Sequence, residues 1–267
     1  MKDYAVLLAG QQSGADQKRN ILREYLQAYC LSLLQRAGVF QSWAFVRGTA
    51  LRFLYDLPRF SEDLDFSLEN PTEKEFKDIL VYVKKELAAA GYRVDVSYND
   101  RKTVQSAMIK FADLLYETGI SPMKDQKLSI KLEIDTRPPA GASCVTKIVN
   151  KYMPLSFFSY DLPSMFSGKI NDLLNRVYTK GRDFYDVCWY LTKFKEMTPN
   201  MVLLQNGLRQ AGWERDLPAE DNWKRYVIEA IEKADWPVVN RDVAPFLERP
   251  GDMDVFTKEN ILMMLEK

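Results

Sequence analysis

Apolar residues recur at spacings of three and four between residues 14 and 38. Leu22, Tyr25, Leu26, Tyr29 and Leu33 share one face, which predicts an amphipathic helix stopped by Gly38. Trp43 to Val46 is a compact apolar run predicted as a strand. After it come Arg47-Gly48-Thr49, about two turns of helix, and the segment Asp63-Leu64-Asp65-Phe66-Ser67-Leu68. The period of two in that segment turns Leu64, Phe66 and Leu68 to one face and both aspartates to the other. Pro71-Thr72 is predicted to open a helix ending at Gly91, with Thr72 and Glu75 as a capping box. Residues 93 to 98 alternate as a strand. Residues 103 to 117 fit a helix with Val104, Ala107, Met108, Phe111, Leu114 and Leu115 inward, while the alternation of Ala107, Ile109 and Phe111 also permits a strand. The stretch KLSIKLEID alternates cleanly, with Leu128, Ile130, Leu132 and Ile134 on one face and Lys127, Ser129, Lys131, Glu133 and Asp135 on the other.

From about residue 160 onward helical spacing takes over. Ile170, Leu173, Leu174 and Val177 form one stripe and Phe184, Val187, Leu191 and Phe194 another; further helices are predicted at 199 to 211, 220 to 234 and 257 to 266. The chain therefore reads as α+β: a mixed sheet with helices over residues 1–155, including an N-terminal helix, then an all-helical domain over 156–267. Trp189, Trp213, Trp223 and Trp236 stand at helical spacing beside apolar neighbours and read as core residues.

Composition narrows the chemistry. With 267 residues and 46% hydrophobic content the chain can bury a sizeable core. It has no histidine, which excludes a Ser-His-Asp triad, histidine metal ligation and an imidazole base. Its three cysteines are widely separated, so neither a disulfide framework nor a zinc knuckle is expected. Lysine plus arginine equals aspartate plus glutamate at 37 each, so a polyanionic substrate would need a local basic patch. The apolar run Ala5 to Gly10 is too short for a signal peptide core, and no stretch approaches the roughly 20 apolar residues of a membrane span. The expected location is the cytoplasm, with no membrane partner.

Acid, base and metal work must then fall to Asp, Glu, Lys, Tyr or Cys. Asp63 and Asp65 on one strand face repel each other unless a cation lies between them, and oxygen-only ligands suit Mg2+ or Mn2+ bound together with substrate phosphates. Gly48-Thr49, where a strand meets a helix N-terminus, suits phosphate: glycine permits close approach, free N–H groups favour negative charge and the hydroxyl adds a donor. Arg59 and Ser61 are candidate further donors to the same phosphates. Lys169 follows Phe166-Ser167-Gly168 at what reads as a helix start, where its charge opposes the helix dipole and suggests an external partner. Asp183 and Asp186 share a helical face with Tyr190, opposite the apolar stripe. Arg176, Lys180 and Arg182 crowd the preceding turn and are the candidate RNA-phosphate patch.

Gly-Thr followed after about a dozen residues by Asp-x-Asp resembles the DNA polymerase β-like nucleotidyltransferase fold. More narrowly, RGTALRF…RFSEDLDF, IKLEID and GKINDLLNR…GRDFYDV resemble the AbiEii/AbiGii toxin family over residues 40 to 195. The family forms the toxin half of type IV toxin–antitoxin and phage-abortive-infection systems, and includes mycobacterial toxins that add nucleotides to tRNA acceptor ends. The resemblance implies a metal-dependent enzyme using a nucleoside triphosphate (NTP), tRNA as acceptor and a separately encoded, AbiEi-like antitoxin. It also implies a helical domain that closes over the nucleotide. By the same resemblance the third carboxylate is Glu133 or Asp135; Lys131-Leu-Glu133 aligns with the family's Lys-x-Glu and favours Glu133, with Lys131 beside the nucleotide. Lys169 would reach the nucleotide phosphates, and Asp183 or Asp186 would be the functional aspartate of the family's Arg-Asp-x-x-Asp block. The family usually has Gly-Gly-Thr/Ser where this chain has Arg47-Gly48-Thr49. Two rival readings remain: transfer to a protein or small molecule, and a nucleotide-binding module without catalysis.

Overall fold

The computed structural model describes residues 1–176 and 178–266. The chain forms two compact units: one of Met1–Asp56, Phe60–Pro138 and Val145–Ser159, the other of Leu57–Arg59, Pro139–Cys144 and Tyr160–Lys267.

The first unit is built on a seven-stranded mixed sheet. Its elements run α1 (Lys2–Gly10), α2 (Ala15–Arg36), β1 (Trp43–Val46), α3 (Arg47–Tyr55), β2 (Leu64–Leu68), α4 (Phe76–Ala89), β3 (Val94–Asn99), β4 (Val104–Phe111), α5 (Leu114–Glu117), β5 (Leu128–Asp135), β6 (Cys144–Asn150) and β7 (Pro154–Tyr160). The strand order is β3-β4-β5-β2-β1-β7-β6. β2 lies between β1, its antiparallel partner, and β5, its parallel partner. The core face carries Phe45, Phe66 and Phe157, with Phe45 stacked on Phe157 at 5.2 Å between ring centres and 5.3 Å from Phe66. Each such buried side chain contributes about 1.5–3 kcal/mol of transfer free energy.

Two expectations need correction. Residues 104–111 are a strand, not part of a helix, because β4 is hydrogen-bonded on both sides, to β3 and to β5, and the alternation that buries Ala107, Ile109 and Phe111 satisfies both ladders. The helix expected from Thr72 begins at Phe76: Glu75 is its N-cap without a side-chain bond, and the Thr72 hydroxyl accepts from the Lys74 N–H instead of closing a capping box. The pair β6 and β7 and the helices α1 and α10 were without a clear periodic signal in the sequence.

The second unit is helical: α6 (Leu162–Asn175), α7 (Gly181–Lys193), α8 (Met201–Gln210), α9 (Trp223–Lys233), α10 (Trp236–Val243) and α11 (Lys258–Leu265). Side chains of Asp161, Asn200, Asp235 and Thr257 cap α6, α8, α10 and α11 by accepting from backbone N–H groups. Phe166 stacks on Tyr190 at 4.4 Å and meets Trp223 edge-on. Ile170 and Leu173 are buried as expected; Val177, placed on the same stripe, lies outside the described residues.

α7 and α10 pack closely at Gly181, where any Cβ would overlap the Val239 carbonyl. Backbone cannot yield there as a flexible side chain would. Gly181→Ala is expected to lower stability by about 1–3 kcal/mol. Gly168→Ala, in α6 with open space around it, is expected to be neutral or stabilising; denaturant midpoints of the two variants test the contrast.

Candidate active site

In the sheet unit, the register of three strands assembles the first set of predicted residues. Val46, at the end of β1, faces Asp65 across the antiparallel pair, and Asp65 faces Glu133 across the parallel pair. Asp63 precedes β2 on the same face. β5 is an interior strand, so Glu133 stands beside the aspartates and not on a solvated edge. The Lys131 ammonium is 2.8 Å from Glu133. Partial burial pulls the Lys131 pKa down, but Glu133, Asp63 and Asp65 outweigh it and hold the group above the ordinary lysine value. Lys131 thus supplies part of the positive charge that three neighbouring carboxylates require.

Gly48 and Thr49 adjoin this row but face inward. Both are buried, and the Thr49 hydroxyl donates to the backbone carbonyl of Asp63, tying the glycine turn to the aspartate strand. Arg47, where the family resemblance leads one to expect glycine, holds φ at +66° and is exposed. This is the left-handed region, costly for a residue with a Cβ. Ser61 contributes its carbonyl to a clamp: Gln27 Nε2 donates to Ser61 O at 3.1 Å and to Glu62 O at 2.9 Å.

That clamp belongs to a polar stripe of α2 that pattern reading did not single out. Asn20, Glu24 and Gln27 are all buried in the helix interior. Glu24 pairs with Arg52 of α3, accepts from Tyr152 Oη at 2.7 Å and lies 3.3 Å from Lys151. Burial raises the Glu24 pKa, yet Arg52 and Lys151 more than offset it and leave the group below the ordinary value. The available signal was Asn20, Glu24 and Gln27 at helical spacing, which puts three polar side chains on one face of a helix whose Leu22, Tyr25 and Leu26 are core residues.

Beside Asp63 and Lys131 opens a cavity of about 380 Å³ whose wall includes Arg19, Arg23 and Lys127 with Met108 and Leu115. Asp63, Asp65 and Glu133 offer oxygen donors only, and among the described residues no group of three carboxylate or thiol side chains stands ready to enclose a metal. A two-carboxylate site completed by substrate phosphates fits this donor set.

In the helical unit the second set forms a closed ion cluster. Lys169 lies mid-helix in α6, whose N-cap is Asp161, so the expected placement at a helix start is corrected and the dipole argument no longer applies. Its ammonium is 2.7 Å from Asp186 and 3.1 Å from Asp183. Arg59 donates through Nε and Nη2 to the two Asp186 oxygens, each at 2.6 Å. Arg176 lies 2.9 Å from Asp183 and 3.5 Å from Asp172. Lys169, Arg59, Asp183 and Asp186 are all buried, and α7 is buried on nearly every face, not on one stripe. Burial would lower the Lys169 pKa, but Asp186 and Asp183 dominate and raise it. Burial would raise Asp183; Lys169 and Arg176 instead hold it down at about 2. Arg182 turns to Asp242 at 3.6 Å.

A strand–Gly-Thr–helix–Asp-x-Asp arrangement with a third carboxylate on the adjoining parallel strand defines a nucleotidyltransferase. The chain belongs to the AbiEii family: the family described as "Nucleotidyl transferase AbiEii toxin, Type IV TA system" matches residues 30–257. It is accordingly a nucleotidyltransferase enzyme of a toxin–antitoxin family, which implies an NTP substrate and an antitoxin partner. Among solved structures, MenT4, a nucleotidyltransferase toxin from Mycobacterium tuberculosis H37Rv, is 14% identical with a TM-score of 0.60, covering 100% of this chain and 90% of its own. JHP933 from Helicobacter pylori is 19% identical with a TM-score of 0.50, covering 90% and 88%. These two likenesses are of fold. A search of curated proteins gives no match. No helix among the described residues is long and apolar enough to cross a membrane.

Two outcomes are expected. Arg47→Gly keeps or raises the unfolding midpoint, whereas Arg47→Val, β-branched at positive φ, loses about 1–2 kcal/mol. An aspartate held below its free value stabilises the fold above that value and ceases to do so as its carboxylate is protonated. Stability should therefore fall between the ordinary pKa of 3.8 and about 2. Asp183→Asn should flatten that acid limb while lowering stability at neutral pH, as read by denaturant midpoints across the range.

Proposed function

We propose that this enzyme transfers a nucleotidyl group from an NTP to the 3′-terminal hydroxyl of tRNA, with Asp63 and Asp65 holding Mg2+ or Mn2+. The observation that supports the reading is the row Val46–Asp65–Glu133 across β1, β2 and β5: two carboxylates paired side by side next to the glycine turn, with Asp63 two residues before Asp65. A divalent ion bound there with the triphosphate supplies charge neutralisation at the reacting phosphorus and lowers the pKa of the attacking hydroxyl. In the transfer, the acceptor oxygen bonds to the α-phosphorus and the bond to the bridging oxygen breaks, releasing pyrophosphate.

The chain's own residues do the positioning. Glu133 accepts the hydroxyl proton, and Lys131, 2.8 Å away, modulates its charge. Gly48 and Arg47 present backbone at the turn, and Thr49 keeps that turn fixed to Asp63. Lys169 is the helical unit's candidate cation for phosphate, and Asp186, the nearer of its two carboxylates, is its positioning residue. Arg59, locked in two bonds to Asp186, acts through that aspartate. Ser61 acts through its carbonyl on the β2 entry. Arg176, Lys180 and Arg182 contribute positive charge toward RNA.

The test is transfer of each α-labelled NTP, with Mg2+, to total tRNA and to a protein extract. Label on tRNA, reduced at least about 100-fold by Asp65→Asn without a drop in thermal midpoint, is the expected outcome; it corresponds to roughly 3 kcal/mol of transition-state stabilisation. Label confined to protein would move the acceptor to a protein side chain, and no label on either would overturn the tRNA assignment.

A further inference from the structure

The helical unit contains a cavity of about 290 Å³, formed where the α6–α7 turn meets α9. This is near the lower end of small-ligand sites, which run from roughly 300 to 1,000 Å³. Its charge is uneven. Four cations line it, Arg176, Lys180, Arg215 and Lys233, against two carboxylates, Asp183 and Glu229. Both carboxylates are already engaged: Asp183 with Lys169 and Arg176, and Glu229 with Arg215 at 2.6 Å.

Lys180 differs from the other cations. Its ammonium makes no hydrogen bond or ion pair among the described residues, although the side chain is partly buried. Burial, together with the positive charge of Lys169, Arg176 and Arg182, outweighs the attraction of Asp183 and holds its pKa below the ordinary lysine value. An ammonium kept partly out of water among other cations costs free energy that an anion in the cavity would relieve.

The remaining wall is aromatic. Trp213 and Tyr226 meet edge to face at 6.2 Å, and Tyr178 is exposed, its hydroxyl accepting from Arg176 Nη1 at 2.9 Å. The Arg215 guanidinium lies over Trp213 and Tyr226 at 5.4 and 5.1 Å. Trp213, read from the sequence as core, is only partly buried and its indole N–H is taken by the Asp216 carbonyl at 3.1 Å. Its contribution to a ligand is therefore its ring surface.

We propose that this cavity binds a nucleoside phosphate, with the phosphate on Lys180, Arg176 and Lys233 and the base against Trp213 and Tyr178. Positive charge beside aromatic faces is the combination that single-stranded nucleic acid sites use. The same chemistry is offered by a free nucleotide and by one residue of an RNA strand. The choice of ligand class rests on the nucleotidyltransferase reading; the site itself rests on the cavity.

The experiment measures binding without transfer, using the full chain carrying Asp65→Asn. The probes are a short unstructured oligoribonucleotide, followed by fluorescence anisotropy, and each free NTP, followed by calorimetry. Lys180→Ala and Trp213→Leu should each weaken binding of one probe roughly tenfold. Lys180→Arg should retain affinity, and Lys180→Ala should reduce the salt slope by about one. Loss for RNA alone identifies a strand residue; loss for the free nucleotide identifies a mononucleotide site. Unchanged affinities for both probes in variants that melt like the parent, or no binding of either probe by the parent, would overturn the proposal. Transfer to tRNA by the chain that keeps Asp65, together with unchanged binding when Lys180 or Trp213 is replaced, would sink this site while leaving the enzymatic reading intact.

Discussion

The position of β2 between β1 and β5 is the constraint on which the candidate chemistry depends. A strand has two faces, and in β2 one is committed to the core by Leu64 and Phe66. Asp65 must then project from the other face, and the pairing register decides what it meets. Antiparallel pairing with β1 brings it opposite Val46, the residue before the glycine turn, while parallel pairing with β5 brings it opposite Glu133. A slip of one residue in either pairing would send the carboxylate row into the core. Residues distant in sequence are thus gathered by hydrophobic registration alone, and the electrostatic cost of gathering carboxylates is partly met by Lys131 on the same strand face.

The structure handles charge differently in the helical unit. Asp183 and Asp186 lie within one turn of α7 and are buried, so each needs its own counter-charge. Asp186 receives a bidentate fork from Arg59 and shares Lys169 with Asp183, which takes Arg176 as well. Removing one member of such a cluster leaves an uncompensated buried charge, commonly worth about 3–5 kcal/mol. This cluster is therefore structural whatever else it does. Two carboxylates hold the Lys169 ammonium, which leaves it at most one N–H donor for any other acceptor.

Much of the sheet unit was legible because its signals are local. A glycine turn between an apolar run and an alternating strand fixes β1, α3 and β2, and the alternation of KLSIKLEID fixes β5. Residues 104 to 111 were ambiguous because Ala107, Met108 and Phe111 satisfy both periods, and only pairing on both sides resolves them. Thr72-x-x-Glu75 matched a capping box, yet the helix begins at Phe76, since a local cap is worth only about 1 kcal/mol and tertiary packing can override it. In the helical unit, spacing brought Asp183, Asp186 and Arg176 into consideration, but the pairing of Arg59 with Asp186 spans 127 residues and no local pattern carries it. Gln27 and Glu24 have partners on α3, on the segment before β2 and after β6, far away in sequence, so no local pattern marks them as buried.

The turn at Arg47-Gly48-Thr49 is held from several sides. Thr49 has turned its hydroxyl to the Asp63 carbonyl, which removes a side-chain donor from phosphate recognition but joins the turn to the aspartate strand. From the other side, Glu24 holds Arg52 of the same helix and Gln27 holds the carbonyls of Ser61 and Glu62. The turn and the strand entry are therefore both referenced to α2, and the glycine motif is positioned by three anchors. A residue at positive φ is tolerated in such a place because its surroundings determine the backbone more strongly than its own preference does. A glycine at this point would avoid the conformational cost. Arginine accepts that cost and places a permanent positive charge directly after Val46, the residue that faces Asp65, so backbone strain and charge placement meet at one position.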